Sequence, residues 1–162
     1  MKKVATSRNQ TPPASDLDWR RHNVGRLLND AIKRFESRIL QQMDAAGYHG
    51  FSLSHITITR NLDLEGTRAT ELARRAGITK QSVSELIKQL EAGGIVERRP
   101  DPADGRAKIV YFSPAGLAWL NAFGTALQNA ERHMADELQE PAFSALKQAL
   151  AAYANSTNGD SP

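Results

Sequence analysis

The sequence lacks cysteine, and it lacks any apolar run long enough to cross a bilayer. None of its 162 residues is a cysteine, which excludes disulfides, thiolate nucleophiles and metal sites with cysteine ligands. A transmembrane helix needs about 20 consecutive apolar residues, and no such segment occurs. Residues 1–8 are basic but are not followed by the apolar segment of a secretory signal. We therefore expect a cytoplasmic protein that does not bind membranes.

Sequence patterns of enzymes and of metal sites are missing as well. There is no glycine-rich phosphate loop and no Ser/His/Asp set in a recognisable local context. The four histidines, His22, His49, His55 and His133, show no spacing typical of metal ligands. The sequence thus predicts a protein that is not an enzyme and that holds neither a cofactor nor a metal.

The charged residues that are present are distributed unevenly. Ten Lys and Arg stand against seven Asp and Glu in residues 1–66, nine against six in residues 67–112, and two against five in residues 113–162. The three segments therefore carry +3, +3 and −3, which sum to the formal net charge of +3. A basic middle segment is compatible with a polyanionic partner, although many proteins without such a partner have a similar distribution.

The chain is long enough for one domain with a proper core, since 40% of its residues are hydrophobic. Residues 1–15 are polar, include Pro12 and Pro13 and show no periodicity, so we expect a disordered arm there. Residues 154–162 are also polar and are expected to form a disordered tail. The predicted domain therefore covers residues 16–153.

Long helices are predicted at both ends of this domain. The first runs from Asp16 to about residue 46, where Gly47 ends it. Ser113 and Pro114 form a strong start for the second, a serine cap followed by proline at the first helical position. Pro141 is expected to break this helix, and a last helix follows with an apolar stripe of Phe143, Leu146, Leu150 and Tyr153.

Three shorter helices are predicted between the long ones. The first covers about residues 52–60 and begins at a serine cap. The second begins at Thr67 and ends at Gly77. The third begins after Thr79 and ends at a glycine pair, because glycine adopts positive φ at no steric cost. Its apolar residues at helical spacing are Val83, Leu86, Ile87 and Leu90.

The second and third of these helices have the pattern of a helix-turn-helix. Such a motif needs a small residue where its helices cross, a glycine at the sharp turn, and apolar residues that hold the angle of the second helix. The residues that meet these needs are Ala73, Gly77, Val83 and Leu86. A plain helical hairpin tolerates similar patterns and is the alternative.

A turn-rich, basic segment follows the motif directly. Residues 95–99 and 108–112 are strand candidates, and a helix-turn-helix followed by such a hairpin predicts a winged helix. A thin basic loop suits the minor groove of DNA, and Asp104 could hold the Arg106 guanidinium in a fixed pose. The alternative is a solvated hairpin whose charges only protect the edge strands from aggregation. The cations around the turn are Arg98, Arg99, Arg106 and Lys108.

One continuous stretch of the sequence contains the helix-turn-helix, the segment DPADGR after LEAGGIVERR, and the residues SPAG that open a helix. Together with the long helices on both sides, it resembles the MarR family of bacterial transcriptional regulators over about residues 16–153. The resemblance implies a mainly α fold with a small β-hairpin wing. A winged helix-turn-helix of about residues 52–112 would lie between dimerisation helices of about residues 16–46 and 113–153.

The resemblance also implies a function. Members of the family are homodimers that bind palindromic operators in double-stranded DNA, usually as repressors that a small phenolic or otherwise lipophilic anion releases. A winged helix also has two alternative functions: a nucleoid-type binder with little sequence preference, and a module for protein contacts without effector response. A regulator should retain its site against excess random duplex by a factor of about 10³ or more, whereas the alternatives should not.

We expect the exposed face of the second helix of the motif to lie in the major groove. Gln81 is placed for an adenine edge, Glu85 could accept from cytosine N4, and Lys88 suits a phosphate. Alternatively, Glu85 only forms a surface ion pair with Lys88. Helix N-termini and the wing supply further contacts. The predicted DNA-binding set is Thr70, Lys80, Gln81, Ser82, Ser84, Glu85, Lys88, Arg99, Asp104, Arg106 and Lys108.

By the same resemblance, an effector crevice lies where the dimerisation helices meet the DNA-binding lobe. Arg26 or a histidine could pair with the carboxylate of an aromatic acid, while aromatic residues supply apolar walls. As alternatives, Trp19 anchors a dimer core and His49 lies in an exposed turn. The predicted effector contacts are Trp19, Arg26, His49, Phe51 and His55.

Overall fold

The structure, a computed structural model, describes residues 19–156. The predicted arm (1–15), residues 16–18 and residues 157–162 of the predicted tail lie outside the described residues. The described residues divide into two compact units, residues 19–34 and residues 35–156. In chain order, the elements are α1 (Val24–Ala45), α2 (Leu53–Arg60), β1 (Thr67–Arg68), α3 (Ala69–Ala76), α4 (Lys80–Ala92), β2 (Val96–Asp101), β3 (Asp104–Phe112), α5 (Pro114–Leu138) and α6 (Glu140–Asn155).

The first helix starts later than its apolar periodicity predicted. α1 begins at Val24 rather than at Asp16, and a short 3₁₀ turn precedes it. The side chain of Asn23 explains this start, because its Oδ1 accepts the backbone N–H of Arg26 at 3.0 Å, as a helix cap does. Its Nδ2 also donates to the carbonyl of Trp19 at 2.8 Å. The predicted start is therefore corrected by a cap that periodicity does not reveal.

The predicted helix-turn-helix is present and surrounds a buried apolar core. α3 ends at Gly77, whose φ of 65° lies in the left-handed region. α4 begins at the cap of Thr79, whose Oγ1 accepts the N–H of Ser82 at 3.1 Å. The buried side chains of α4 hold its angle against the other helices. The core residues that are at most 1% exposed include Ile58, Leu72, Val83, Ile87 and Leu90.

A third strand, which the sequence analysis missed, completes an antiparallel sheet in the order β1-β3-β2. Thr67 of β1 lies opposite Val110 of β3. The prediction that Thr67 begins a helix is therefore wrong, because α3 starts at Ala69. The Thr67 Oγ1 instead accepts the N–H of Asp63 at 2.9 Å. A strand of two residues has no periodicity of its own, and only its partner strand reveals it.

The second long helix begins where the sequence predicted, at the cap of Ser113, whose Oγ accepts the N–H of Gly116 at 2.9 Å. Gly116 permits a close approach, since a Cβ there would lie 1.8 Å from the carbonyl oxygen of Ile95. The break between α5 and α6 lies at Gln139, which has a φ of 68°. It does not lie at Pro141, which occupies the first turn of α6, where proline is tolerated.

The last helix reaches Asn155 and so includes the first two residues of the predicted tail, 154 and 155. Phe143 is the buried residue of its predicted apolar stripe, whereas Leu150 and Tyr153 are exposed. Within residues 19–156, none of the helices combines the length and the apolarity that crossing a bilayer requires.

Candidate nucleic-acid interface

One face of α4 is exposed and polar. It lies opposite the buried side chains that fix the helix on the core, and helix periodicity accounts for this division. Six of its seven residues belong to the DNA-binding set predicted from the sequence, and the structure brings them together on one surface. We call this surface the polar face: Lys80, Gln81, Ser82, Ser84, Glu85, Lys88 and Gln89.

Several side chains of the polar face are bonded to one another. The Lys88 Nζ lies 4.0 Å from the Glu85 Oε2, which is the ion pair predicted as the alternative role of Glu85. The Gln89 Nε2 donates to the Glu85 Oε1 at 3.2 Å. The Ser82 hydroxyl lies 2.8 Å from that of Thr79 at the helix start. Since 62% of the Glu85 side chain is exposed, its carboxylate can still accept a further hydrogen bond from outside.

A histidine from outside the motif is bonded to the polar face. The Nε2 of His55, in α2, lies 2.9 Å from the Oε1 of Gln89. His55 is buried, and its Nδ1 accepts the backbone N–H of Ser52 at 3.0 Å. Sequence reasoning missed the bond to Gln89. The step of three residues from Ser52 to His55 is the spacing of a capping box and could have suggested the bond to Ser52.

The hairpin of Val96–Phe112, which we call the wing, carries a bulge near its tip. Its strands extend farther than predicted and leave only Pro102 and Ala103 between them. Pro100 lies opposite Lys108, but Asp101 lies opposite Asp104. Residues 105–107 therefore stand outside the regular ladder, with the exposed Arg106 at their centre. Bulges of this kind turn a side chain away from the direction that the strand would give it.

Asp104 contacts Arg106 differently from the prediction. Its Oδ1 accepts the backbone N–H of Arg106 at 3.0 Å, whereas the sequence analysis expected a pair with the guanidinium. An aspartate side chain is short and reaches the backbone two residues on without ordering a long partner. The predicted role is therefore corrected: Asp104 shapes the bulge and leaves the Arg106 guanidinium exposed.

An ion pair that the sequence analysis missed ties β1 to the wing. The Arg68 Nε donates to the Oδ2 of Asp101 at 2.6 Å, and the other carboxylate oxygen accepts the N–H of Ala103 at 2.8 Å. The hydrogen bond from Ala103 and the guanidinium of Arg68 hold the pKa of Asp101 below its usual range. Because Asp101 is only 5% exposed, its contact with Arg68 fixes the end of β2 at the turn.

Two neighbouring arginines of the wing have different surroundings. Arg98 pairs with Glu91, and 29% of its side chain is exposed. Arg99 pairs with Glu97, and 61% of its side chain is exposed. The guanidinium carbon of Arg99 also lies 4.8 Å from the centre of the Tyr111 ring. Since neighbouring residues of a strand point to opposite faces, Arg99 is the one of the two that remains accessible to a partner.

The start of α3 carries the last of the predicted DNA contacts, Thr70, which is exposed in the first helical turn.

In the same helix, hydrogen bonds from Arg74 and Arg75 lower the pKa of Glu71 to about 2. The Arg75 Nη1 also donates to the Oδ2 of Asp63 at 2.9 Å. Arg75 thus holds α3 to the loop before β1, whereas Arg74 is paired within the helix.

The residues predicted to bind an effector lie in both compact units. In the first unit, Trp19 and Arg26 are exposed, and the Arg26 Nε lies 3.9 Å from an oxygen of Asp30. In the second unit, His49 is exposed in a turn, and its Nδ1 lies 2.7 Å from the Oδ1 of Asp44. His55 uses both ring nitrogens for the bonds described above.

Phe51, the remaining candidate, lines a groove of about 340 Å³. The centre of its ring lies 5.8 Å from that of Trp119, which stacks on Phe123 at 5.4 Å. Trp119 is fully buried, and its indole N–H has no acceptor among the described residues. The other residues that line the groove at Phe51 are Leu40, Gln41, Asp44, Tyr48 and Gly50. A second, larger groove of about 600 Å³ lies between α5 and α6.

The region that contains α4 and most of the wing is similar to known sequences. Residues 49–107, which run from just before α2 into the wing, match the model of the MarR family. The chain is also similar to the HTH-type transcriptional repressor NicR of Pseudomonas putida. The two are 28% identical over 120 residues, which are 72% of this chain and 75% of the relative.

Solved structures extend the similarity of fold beyond residues 49–107. The apo form of MarR from E. coli superposes with a TM-score of 0.69 and 16% identity, over 82% of this chain and 97% of that one. The transcriptional repressor CouR, solved in complex with a 23-mer DNA duplex, superposes with a TM-score of 0.66 and 22% identity, over 86% of this chain and 97% of that one.

Proposed function

We propose that the chain is a member of the MarR family of transcriptional regulators and that it acts as a homodimeric, sequence-specific repressor. Residues 49–107 match the family model, and the chain is 28% identical to the repressor NicR over 120 residues. We further propose that a small aromatic or lipophilic anion releases it from its operator. One observation carries the proposal: a polar face on a helix held by the core, followed directly by a wing whose bulge presents Arg106. The repressor role is supported by the similarity to NicR, which is itself a transcriptional repressor.

In the proposed complex, α4 lies in the major groove and the wing reaches the minor groove. Gln81 bonds to an adenine edge, and Glu85 accepts from cytosine N4. Arg106 enters the minor groove, where narrow A·T stretches concentrate negative potential, and Asp104 shapes the bulge that presents it. Phosphate contacts come from Thr70, Lys80, Ser82, Ser84, Lys88, Arg99 and Lys108.

The helices at the two ends of the chain are proposed to form the dimer. On α1, Leu27, Leu28 and Ile32 recur at helical spacing and are exposed. On α6, Leu150 and Tyr153 are exposed as well. Apolar side chains left in water at regular spacing favour burial by a second subunit. A dimer would present two copies of α4 to successive turns of a palindromic operator.

The effector is proposed to bind at the groove that Phe51 lines. Its volume of about 340 Å³ lies within the range of small-molecule sites, about 300–1,000 Å³. Phe51 also contacts the ring of His55, with the two ring centres 5.7 Å apart. His55 would thus contribute an apolar wall, since both of its nitrogens are engaged. His49 remains a proposed contact with an aromatic acid in this groove. Trp19 and Arg26, in the first unit, remain effector contacts proposed from the sequence alone.

Selection of bound fragments from the organism's own genome tests the main proposal. The purified protein should enrich a small number of palindromic sites and should elute at the mass of a dimer. In a gel-shift titration at fixed salt, a selected site should survive an excess of random duplex of about 10³. Small aromatic acids are then screened for release of the selected duplex.

Other outcomes identify the alternative functions. Binding that random duplex competes away equally would indicate a nucleoid-type protein. A monomer that binds no duplex would indicate a module for protein contacts. Either result contradicts the proposal.

A further inference from the structure

His55 is a buried polar residue that the DNA contacts proposed above do not use. It lies in the first turn of α2 and is 8% exposed. Its two ring nitrogens contact Ser52 on one side and Gln89 on the other. The second contact joins residues 34 positions apart in the sequence. A buried side chain that spans two helices in this way has a defined orientation.

The bond from Ser52 determines which nitrogen of His55 carries the proton. A backbone N–H can only donate, so the Nδ1 at 3.0 Å must be the acceptor. In the neutral ring the proton then resides on Nε2, which donates to the Gln89 Oε1 at 2.9 Å. This fixes the orientation of the Gln89 amide, because its carbonyl oxygen faces His55. Its NH₂ group is left to donate elsewhere.

The acceptor for that NH₂ group lies on the polar face of α4. The Gln89 Nε2 donates to the Oε1 of Glu85 at 3.2 Å. Donors and acceptors therefore alternate without conflict from the N–H of Ser52 to the Glu85 carboxylate. Glu85 keeps its other oxygen for Lys88 and for solvent.

We propose that His55 is a positioning residue for DNA readout: through Gln89 it fixes the carboxylate of Glu85 for one base pair of the operator. This role rests on the proposed function, with His55 as the buried group that orients the Glu85 side chain. Glutamate and glutamine on a helix surface otherwise sample many rotamers, and ordering them on binding lowers the discrimination between bases. A chain of hydrogen bonds anchored in the core imposes the ordering before DNA arrives.

Four variants separate this role from a structural one. His55→Asn keeps an acceptor near the position of Nδ1, so the bond from Ser52 can persist, but it does not reach Gln89. His55→Gln is the conservative variant, since its amide N can lie near the position of Nε2 and donate to Gln89. Gln89→Met is nearly isosteric and removes the middle of the chain at the surface. Glu85→Gln identifies the operator position that Glu85 itself contacts.

The measurement is base preference at each operator position, obtained by selecting bound sequences from a pool of randomised duplexes at fixed salt. Glu85→Gln should change the preference at one position. His55→Asn and Gln89→Met should reduce discrimination at that same position by at least about threefold and leave the position contacted by Gln81 unchanged. His55→Gln should restore discrimination to near the wild-type value. His55→Asn combined with Gln89→Met should be no worse than either alone.

Failure of this inference is distinguishable from failure of the proposed function. If wild-type protein selects no preferred duplex, the proposed function fails and this inference fails with it. If wild type selects an operator but His55→Asn and Gln89→Met leave all preferences unchanged, only the role of His55 is overturned. The same conclusion follows if Glu85→Gln alters no position, or if the loss is equal at all positions. Should His55→Asn fail to fold, Gln89→Met and His55→Gln remain as tests: unchanged preferences in Gln89→Met, or discrimination lost in His55→Gln, overturn the role of His55.

Discussion

On α4, the side chains of Glu85, Lys88 and Gln89 are bonded to one another and, through Gln89, to the buried His55. In the wing, by contrast, Arg106 stands on a bulge where Asp104 accepts its backbone N–H and its side chain is exposed. Groups ordered before binding lose little further freedom, which favours discrimination between bases. An exposed guanidinium contributes mainly through its charge and its fit to a narrow groove. We therefore propose that α4 supplies chiefly specificity and the wing chiefly affinity.

The largest effect is expected from removing the exposed cation of the wing. We expect Arg106→Ala to raise the operator Kd by about tenfold and to lower the slope of log K against log salt by about 1. The mass of the dimer should not change. Arg132→Ala, which removes the same charge from α5, is the matched control and should bind as the wild type does. An unchanged Kd in a gel-shift titration at fixed salt would remove the wing from the mechanism.

A smaller effect, confined to one operator position, is expected on α4. Gln81→Ala should reduce the preference for the base that Gln81 contacts by about fivefold, while affinity for random duplex remains unchanged. Arg106→Ala serves as the comparison, since it should lower affinity without altering that preference. A uniform loss of affinity in the Gln81 variant, with every preference intact, would contradict the assignment of specificity to α4.

The bulge itself can be tested without a change at Arg106. Asp104→Ala removes the acceptor of the Arg106 N–H, and we expect the operator Kd to rise by about two- to threefold. The slope of log K against log salt, read from titrations at several ionic strengths, should equal that of the wild type within experimental error, because Arg106 keeps its charge. Asp104→Asn keeps an acceptor and should restore most of the affinity. A loss as large as that of Arg106→Ala would show that Asp104 does more than shape the bulge.

The smallest effect is expected at Arg99, whose charge is partly engaged by Glu97 and by the ring of Tyr111. Arg99→Lys keeps the charge but weakens the contact with the ring, so the free energy of unfolding should fall by about 0.5 kcal/mol. The operator Kd should change by less than about twofold. Urea denaturation and gel-shift titration measure the two quantities. A large loss of DNA binding at constant stability would place Arg99 among the specific contacts.

Much of the fold could be predicted because local side chains determine it. The caps at Thr79 and Ser113 and the left-handed Gly77 mark helix ends that the structure confirms. Periodicity also identified the buried face of α4, and with it the opposite polar face. Each of these features depends on residues within one or two turns of one another, which is why the sequence contains enough information to place them.

Features that depend on residues far apart in the sequence were missed. The strand β1 exists only because Thr67 and Arg68 pair with β3, and the ion pair of Arg68 with Asp101 depends on that pairing. The link between His55 and Gln89 likewise joins two helices. The start of α1 and the bulge at Arg106 were missed for another reason. In both, a short polar side chain bonds to nearby backbone, and several alternatives would have been equally compatible with the sequence.

The packing of the two tryptophans has a practical consequence. Trp119 is fully buried, stacks on Phe123 and lies beside the tilted ring of Phe51, whereas Trp19 is 66% exposed. Their fluorescence emission should therefore differ in wavelength, with Trp119 at the blue end. Replacing Trp19 with phenylalanine would leave Trp119 as the single tryptophan. Its ring neighbour, Phe51, lines a groove. The protein thus contains its own optical probe, and titrating aromatic acids against it would reveal occupancy of that groove without any DNA or added label.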